Sequence, residues 1–248
     1  MLRGIYMANT ALVTQQVREG VIGQNLANLS TWGYKADRAV LRSFPEVLWW
    51  RLEGYRQAPI GTVGPGVAVE EVATDYRPGP LVFTGRPLDL ALAGNGYFVV
   101  QDPSGGGYFF TRSGTFGPNA QGYLTNEQGY LVMGYAGPIE VGGGEAKVYQ
   151  DGRVEVGGEE RGRLMVVDFP PGQYPQKLEA GLFRAPQEAR PLPVDTSIRS
   201  GYLEQANVDA VRTMVELLAA FRAYEAAQRV LRAQDETLGR AIEIGAWR

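Results

Sequence analysis

The residues best placed to do chemistry in this chain are four aspartates near the ends of predicted strands: Asp89, Asp102, Asp151 and Asp168. Two carboxylates facing each other across a cleft suffice for glycoside hydrolysis, with no histidine needed. Asp102 precedes Pro103 and Asp151 precedes Gly152, however, and both dipeptides fit turns in which the carboxylate bonds nearby backbone. No spacing sets any two of the four opposite one another. The stretches GNG at 94–96 and SGGG at 104–107 are glycine-rich. A phosphate-binding loop must follow a strand and open a helix, whereas these lie between strand-like runs and read as hairpin turns. The aromatics Tyr97, Phe98, Tyr108, Phe109, Phe110 and Phe116 supply a possible sugar-stacking face. The plainer reading is cross-strand pairs and core.

Composition closes further routes. Cys and His are both absent from the 248 residues, which removes disulfides, thiolate nucleophiles, zinc ligation by Cys or His, and the Ser-His-Asp triad. No cofactor and no metal is expected. Net charge is −3, from 24 basic and 27 acidic residues, so no global field favours nucleic acid or anionic lipid. Of the 24 basic residues three are lysine (Lys35, Lys147, Lys177), which leaves 21 arginines. Arginine's forked, permanent charge suits lasting interfaces. No stretch approaches the roughly 20 apolar residues of a membrane-crossing helix, so no direct membrane insertion is expected. MLRGIYMANTALVTQQ lacks a signal peptide's apolar core, interrupted as it is by Asn9, Thr10 and Thr14. The expectation is a cytoplasmic protein, or one exported without signal cleavage.

The elements that would position any site fall into three parts: 1–35, 36–200 and 201–248. In the first, Leu2, Ile5, Tyr6, Leu12, Val13, Val17, Val21, Ile22, Leu26 and Leu29 recur near one helical face. Gly4, Gly20 and Gly23 each cost such a helix about 1 kcal/mol relative to Ala, so it needs a partner. The middle is β-rich, a mostly antiparallel sheet cut by Pro and Gly into short runs. Asn95-Gly96 predicts a tight turn between Leu88–Leu92 and Tyr97–Val100, and Asp151-Gly152 another between Val148 and Val154. The last part is one long helix, with Asn207 as expected N-cap and Asp209 in its first turn. Its apolar positions are Val211, Met214, Leu218, Phe221, Tyr224, Ala227, Leu231, Leu238 and Ile242, and Glu225 precedes Arg229 by the favourable four. Thirty-seven residues to Ile244 would span about 55 Å. The fold class is α+β, with the two terminal helices paired antiparallel in a coiled-coil-like seam beside the β region.

One stretch resists a purely structural account. In NLANLSTWGYKAD (25–37), Asn28 and Ser30 can end a helix and Gly33 can turn left-handed. That leaves Trp32 and Tyr34, two large aromatics flanking a turn glycine, as expected interface anchors.

The stretch resembles the N-terminal signature of bacterial flagellar rod and hook proteins, matching at Asn25, Leu26, Ala27, Asn28, Thr31, Gly33, Tyr34 and Lys35; Gln24 and Trp32 depart from it. The other end is similar to the same family's C-terminal pattern, at Leu203, Glu204, Asn207, Val208 and Asp209, then Arg222, Tyr224 and Glu225, then Asp235, Glu236 and Leu238; Ala206 and Phe221 depart. RPLDLALAGNGYFVVQ, YFFTRSGTFGPNAQGYLTNEQGYLVMG and GPIEV look like its shared β-domain. The resemblance implies a structural subunit with no catalytic residues, whose helices assemble with copies of itself and other rod or hook proteins into a helical tube that transmits torque. It implies export through the flagellar type III apparatus and residence in the basal body, outside the cytoplasmic membrane. The assembly interface it implies comprises Asn25, Leu26, Ala27, Asn28, Thr31, Trp32, Gly33, Tyr34, Leu203, Asn207, Val208, Asp209, Phe221, Tyr224, Glu225, Leu231, Asp235 and Leu238. A carbohydrate-binding β-module or a carboxylate-dependent glycosidase are the alternatives.

Overall fold

Helix formation at the two ends follows the apolar periodicity, giving α1 (Leu2–Ala27) and α2 (Ala210–Ala246). The computed structural model describes residues 2–53, 56–142, 144, 146–186, 191–194 and 196–246. Met1 and residues 247–248 of the two predicted end segments lie outside the described residues. α1 stops before Asn28, whose carbonyl accepts the Thr31 N–H at 3.1 Å in the turn that follows. α2 begins two residues later than Asn207 would cap it. The N-cap is Asp209, whose Oδ1 accepts the Arg212 N–H at 3.1 Å.

The chain divides into two compact units. The first comprises Met1–Ala27, Asp37–Thr74 and Asp209–Arg248, and the second Asn28–Ala36 and Asp75–Val208. Residues 37–74 thus belong with the helices, where the sequence division had put them in the β region. The reason is local packing: β1 (Asp37–Ser43) pairs antiparallel with β4 (Val67–Thr74), and α1 packs on both. Thr14 Oγ1 donates to the Val67 carbonyl at 3.2 Å. Between them β2 (Val47–Glu53) and β3 (Arg56–Val63) form a hairpin. α1 also packs on α2. Gly4 lies against Gln234, late in α2, as antiparallel helices require.

Among the described residues the second unit holds seventeen short strands: β5 (Leu81–Phe83), β6 (Leu90–Ala93), β7 (Tyr97–Gln101), β8 (Tyr108–Thr111), β9 (Phe116–Pro118), β10 (Leu124–Asn126), β11 (Leu131–Gly134), β12 (Gly137–Pro138), β13 (Ala146–Val148), β14 (Arg153–Val156), β15 (Glu159–Arg163), β16 (Val166–Asp168), β17 (Gln176–Lys177), β18 (Leu182–Arg184), β19 (Leu192–Pro193), β20 (Ser197–Ser200) and β21 (Tyr202–Glu204). Every pairing among these described strands is antiparallel. Ten of them make one sheet, with β7 inside it. β7 is an unbroken apolar run because both of its faces are buried. Phe98 and Val100 enter one core with Phe116, Leu124 and Val154, while Tyr97 and Val99 enter another with Phe110, Phe169 and Phe183.

Two predicted turns fare differently. Asp151-Gly152 does join β13 to β14, with the Gly152 N–H donating to the Tyr149 carbonyl at 3.0 Å. Asn95-Gly96 is not a hairpin turn. β6 pairs with β20, about a hundred residues onward, while β7 pairs with β8, β11 and β16. Gly96 does hold a positive φ of 114°, and close packing also calls for glycine there, since a Cβ would stand 2.9 Å from Val166 Cγ1.

Candidate functional site

The signature 25–37 is split between the units. Asn25, on α1, makes a reciprocal pair with β1. Its Nδ2 donates to the Asp37 carbonyl at 2.7 Å, and its Oδ1 accepts the Asp37 N–H at 2.9 Å. From Asn28 the chain runs as a strap on the second unit. Thr31 donates its N–H to the Asn28 carbonyl at 3.1 Å and its hydroxyl to Asn28 Oδ1 at 3.2 Å. Gly33 is left-handed at φ 68°, as its type predicted. A Cβ there would sit 2.4 Å from the Arg112 carbonyl carbon, so only glycine fits. Tyr34 is buried, with Lys177 Nζ 3.7 Å from its ring centroid. Trp32 is half-buried.

Behind the strap lies a buried charge cluster that the sequence reading missed. Lys35 and Glu204 are 0% and 1% exposed, and Lys35 Nζ stands 2.5 Å from Glu204 Oε1. The same oxygen accepts the Gly79 N–H at 2.9 Å, while Oε2 takes Arg112 Nη1 at 3.2 Å. Arg112 also donates to the Gly94 carbonyl at 2.8 Å and lies over the Tyr97 ring. One carboxylate therefore compensates two buried cations. Burial pulls the Lys35 ammonium below its ordinary pKa, and the Glu204 charge opposes that pull. The only sequence signal was a charge of each sign inside the two end motifs.

Asn207 completes the stitching. Its Oδ1 accepts the Ala36 N–H at 2.7 Å, and its Nδ2 donates to the Asp75 and Arg77 carbonyls at 2.8 and 3.1 Å. The side chain expected to cap α2 is thus spent holding three segments of the second unit together. Leu203 is buried beside Glu204, and Val208 is half-buried.

α2 carries two apolar stripes rather than one. Thr213, Leu217, Ala220, Tyr224, Ala227, Leu231, Gln234 and Leu238, at alternating steps of four and three, are buried or half-buried. Val211, Met214, Val215, Leu218 and Phe221 point elsewhere, exposed from 47% at Phe221 to 74% at Val211. The single stripe read from the sequence mixed the two. Asp209, Glu225 and Asp235 are exposed, and Glu225 pairs with Arg229 at 3.8 Å. On α1, Leu26 and Asn28 beyond it are half-buried and Ala27 is exposed, while Tyr6, Val13 and Val17 form an outward apolar row.

The strand-end aspartates are engaged locally, Asp168 accepting the Phe169 N–H at 2.8 Å. Asp102 and Asp151 accept backbone N–H groups two residues onward, at 2.9 and 3.2 Å, as turn residues do. Asp89 is buried beside Thr84 and Arg86. Tyr97, Phe98, Phe109, Phe110 and Phe116 are core, not an open stacking face. Among the described residues no group of three Asp or Glu side chains is set to hold a metal, and no helix is long and apolar enough to cross a membrane.

Comparison with known proteins adds an independent line. Residues 199–244 match the family model described as flagellar basal body rod FlgEFG protein C-terminal, and residues 91–156 the model for the flagellar hook protein FlgE/F/G D1 domain. The chain is 34% identical to the flagellar basal-body rod protein FlgF of Escherichia coli (strain K12), over 98% of each chain. It is 30% identical to the flagellar hook-basal body complex protein FlhO of Bacillus subtilis (strain 168), over 99% of each. With the flagellar basal-body rod protein FlgG of Agrobacterium fabrum (strain C58 / ATCC 33970) the identity is 31%, over 95% of this chain and 96% of the other.

Proposed function

Because the chain belongs to the flagellar basal-body rod proteins, a structural family and not an enzymatic one, we propose that it builds the rod through its terminal helices. The subunits stack head to tail in contacts that do not close on themselves, which generates a helical tube able to carry torque. α1 and α2 of one subunit form the inner seam as a coiled coil, with knobs at the alternating four-and-three positions of α2. The outward stripes join neighbouring copies and other rod or hook proteins. Of the expected set, the exposed Ala27, Asp209, Phe221, Glu225 and Asp235, together with the half-buried Trp32, reach those neighbours. The subunit travels through the flagellar type III apparatus without signal cleavage.

The observation that carries this reading is the exposed stripe Val211, Met214, Val215, Leu218 and Phe221. An apolar row of that size on a water-facing helix is costly unless another surface covers it. Deletion of the gene in its native host, followed by electron microscopy of basal bodies, is the test. The expected result is basal bodies lacking a complete rod, restored by the full chain and not by a version without residues 205–248. Complete rods in the deletion strain would overturn the proposal.

A further inference from the structure

Two glycines of α1 have no cause inside the chain. Gly20 and Gly23 hold ordinary helical backbone, so no positive φ calls for them, and a Cβ at either would meet nothing within 4 Å. Each weakens the helix with nothing gained inside one copy. Gly20 is exposed and Gly23 half-buried. Their surroundings are equally unusual. Not one charged side chain is exposed on α1 between Tyr6 and Ala27, where a water-facing helix surface ordinarily carries several. Glycines without a steric cause, on an uncharged helix face, mark a place where another backbone comes close.

The other helix supplies what comes close. Tyr6, Val13 and Gly20 lie on the side of α1 away from Gly4, which rests on Gln234, and from the buried Ala8 and Ile22. Met214 and Leu218 likewise lie on the side of α2 away from the buried Thr213 and Ala220. The pair is antiparallel with Gly4 at Gln234, so Gly20 and Gly23 stand about level with Leu218 and Val215. An apolar ridge on α2 and a glycine hollow on α1 therefore occupy the same height on opposite flanks of one helix pair. We infer that the ridge Met214, Val215, Leu218 and Phe221 of one copy seats on the Gly20–Gly23 face of α1 in the next copy, side by side. This rests on the rod reading above and names which of the outward surfaces meet.

Size and symmetry favour that occupant. Large side chains facing small ones let two helices interdigitate closely, as ridges enter grooves. Ridge on ridge would hold the axes apart. Being one patch on both copies, it would also close after two. Ridge on hollow leaves every copy with one of each still free, so the row continues. The contact is confined to one end of the pair. Beyond Phe221 the same side of α2 carries the exposed Arg222, Glu225, Arg229, Arg232, Glu236 and Arg240, which stay in water.

The chain has no Cys, so introduced thiols report without background. Gln16→Cys and Arg222→Cys flank the contact at exposed positions, one on each outward face. In basal bodies from the native host, a short bismaleimide should join chains carrying both changes into dimers, trimers and longer ladders. Either change alone should leave monomer. Dimers from Arg222→Cys alone would mean that α2 meets α2 and would overturn the inference. Complete rods without a ladder would overturn it too, while leaving the rod reading intact; that reading fails separately, if the deletion strain keeps complete rods. Should the paired-cysteine chain give no rods, Gly20→Leu decides. It should fold at least as stably as wild type yet lower the number of complete rods about tenfold or more, and Leu218→Ala in the same chain should restore them. Wild-type numbers of rods from Gly20→Leu, or a loss that Leu218→Ala does not repair, would sink the docking.

Discussion

The two units use the same kinds of side chain to opposite ends. In the second, Phe98, Phe183 and Leu124 are fully buried and Phe116 is 1% exposed. In the first, Val211, Leu218, Tyr6 and Val13 are each more than half exposed. Composition does not explain the difference, since both regions are rich in Leu, Val and aromatics. What differs is whether an element finds its cover within the chain. The β strands do, because each pairs with others and β7 is packed on both faces. The helices do so on one side only. The proposed rod assembly rests on this division of labour: one body that is complete in each copy, and one surface left for neighbours to cover.

Core truncation should break the comparison most sharply. Phe98→Ala removes a ring that meets Phe116 edge-on at 5.2 Å between centroids, and should cost the second unit about 3–5 kcal/mol. Hydrogen exchange should show the loss across β7 and β8 and leave α2 as protected as before. An equal loss in α2 would mean that the units are not energetically distinct.

Glycine substitutions sharpen the same contrast on a smaller scale. Gly33→Ala places a Cβ against the Arg112 backbone at a positive φ, and should destabilise by about 2–3 kcal/mol. Gly20→Ala, in α1 with nothing within 4 Å of the new Cβ, should stabilise by about 0.5–1 kcal/mol. Chemical denaturation of the two variants checks both signs, and opposite signs are the point.

The smallest expected effect is a pH dependence. Hydrogen bonding from the Arg77 guanidinium holds the Asp75 carboxyl below its ordinary 3.8. A depressed carboxylate pKa stabilises the fold above the unfolded value and loses that contribution as pH falls through the folded one. The stability gap between wild type and Asp75→Asn should therefore be constant at neutral pH and shrink below pH 3.8. A gap that grows on acidification would contradict the pairing.

Much of this was legible in the residues, and the failures share a cause. The two terminal helices, the left-handed Gly33 and the Asp151-Gly152 turn are set by short-range chemistry, which a sequence displays directly. Asn95-Gly96 carries the same turn signal, yet β6 prefers β20; a local signal cannot report a distant partner. Asn207 and Asp209 are both good caps, and which one serves was decided by Asn207's bonds to Ala36, Asp75 and Arg77. Lys35 stood in the sequence only as a member of the N-terminal motif, and nothing nearby foretells its pairing with Glu204. Apolar periodicity located the greasy positions of α2 but not which of two adjacent stripes meets α1.

The most direct measurement concerns those outward residues. Leu218→Glu with Phe221→Glu changes two exposed positions, so the monomer's folding stability should shift by less than about 1 kcal/mol. Expressed in the native host in place of the wild-type chain, the double variant should leave basal bodies without a complete rod, as imaged by electron microscopy. Complete rods assembled from a stably folded double variant would contradict the claim that this stripe of α2 is finished only by its neighbours.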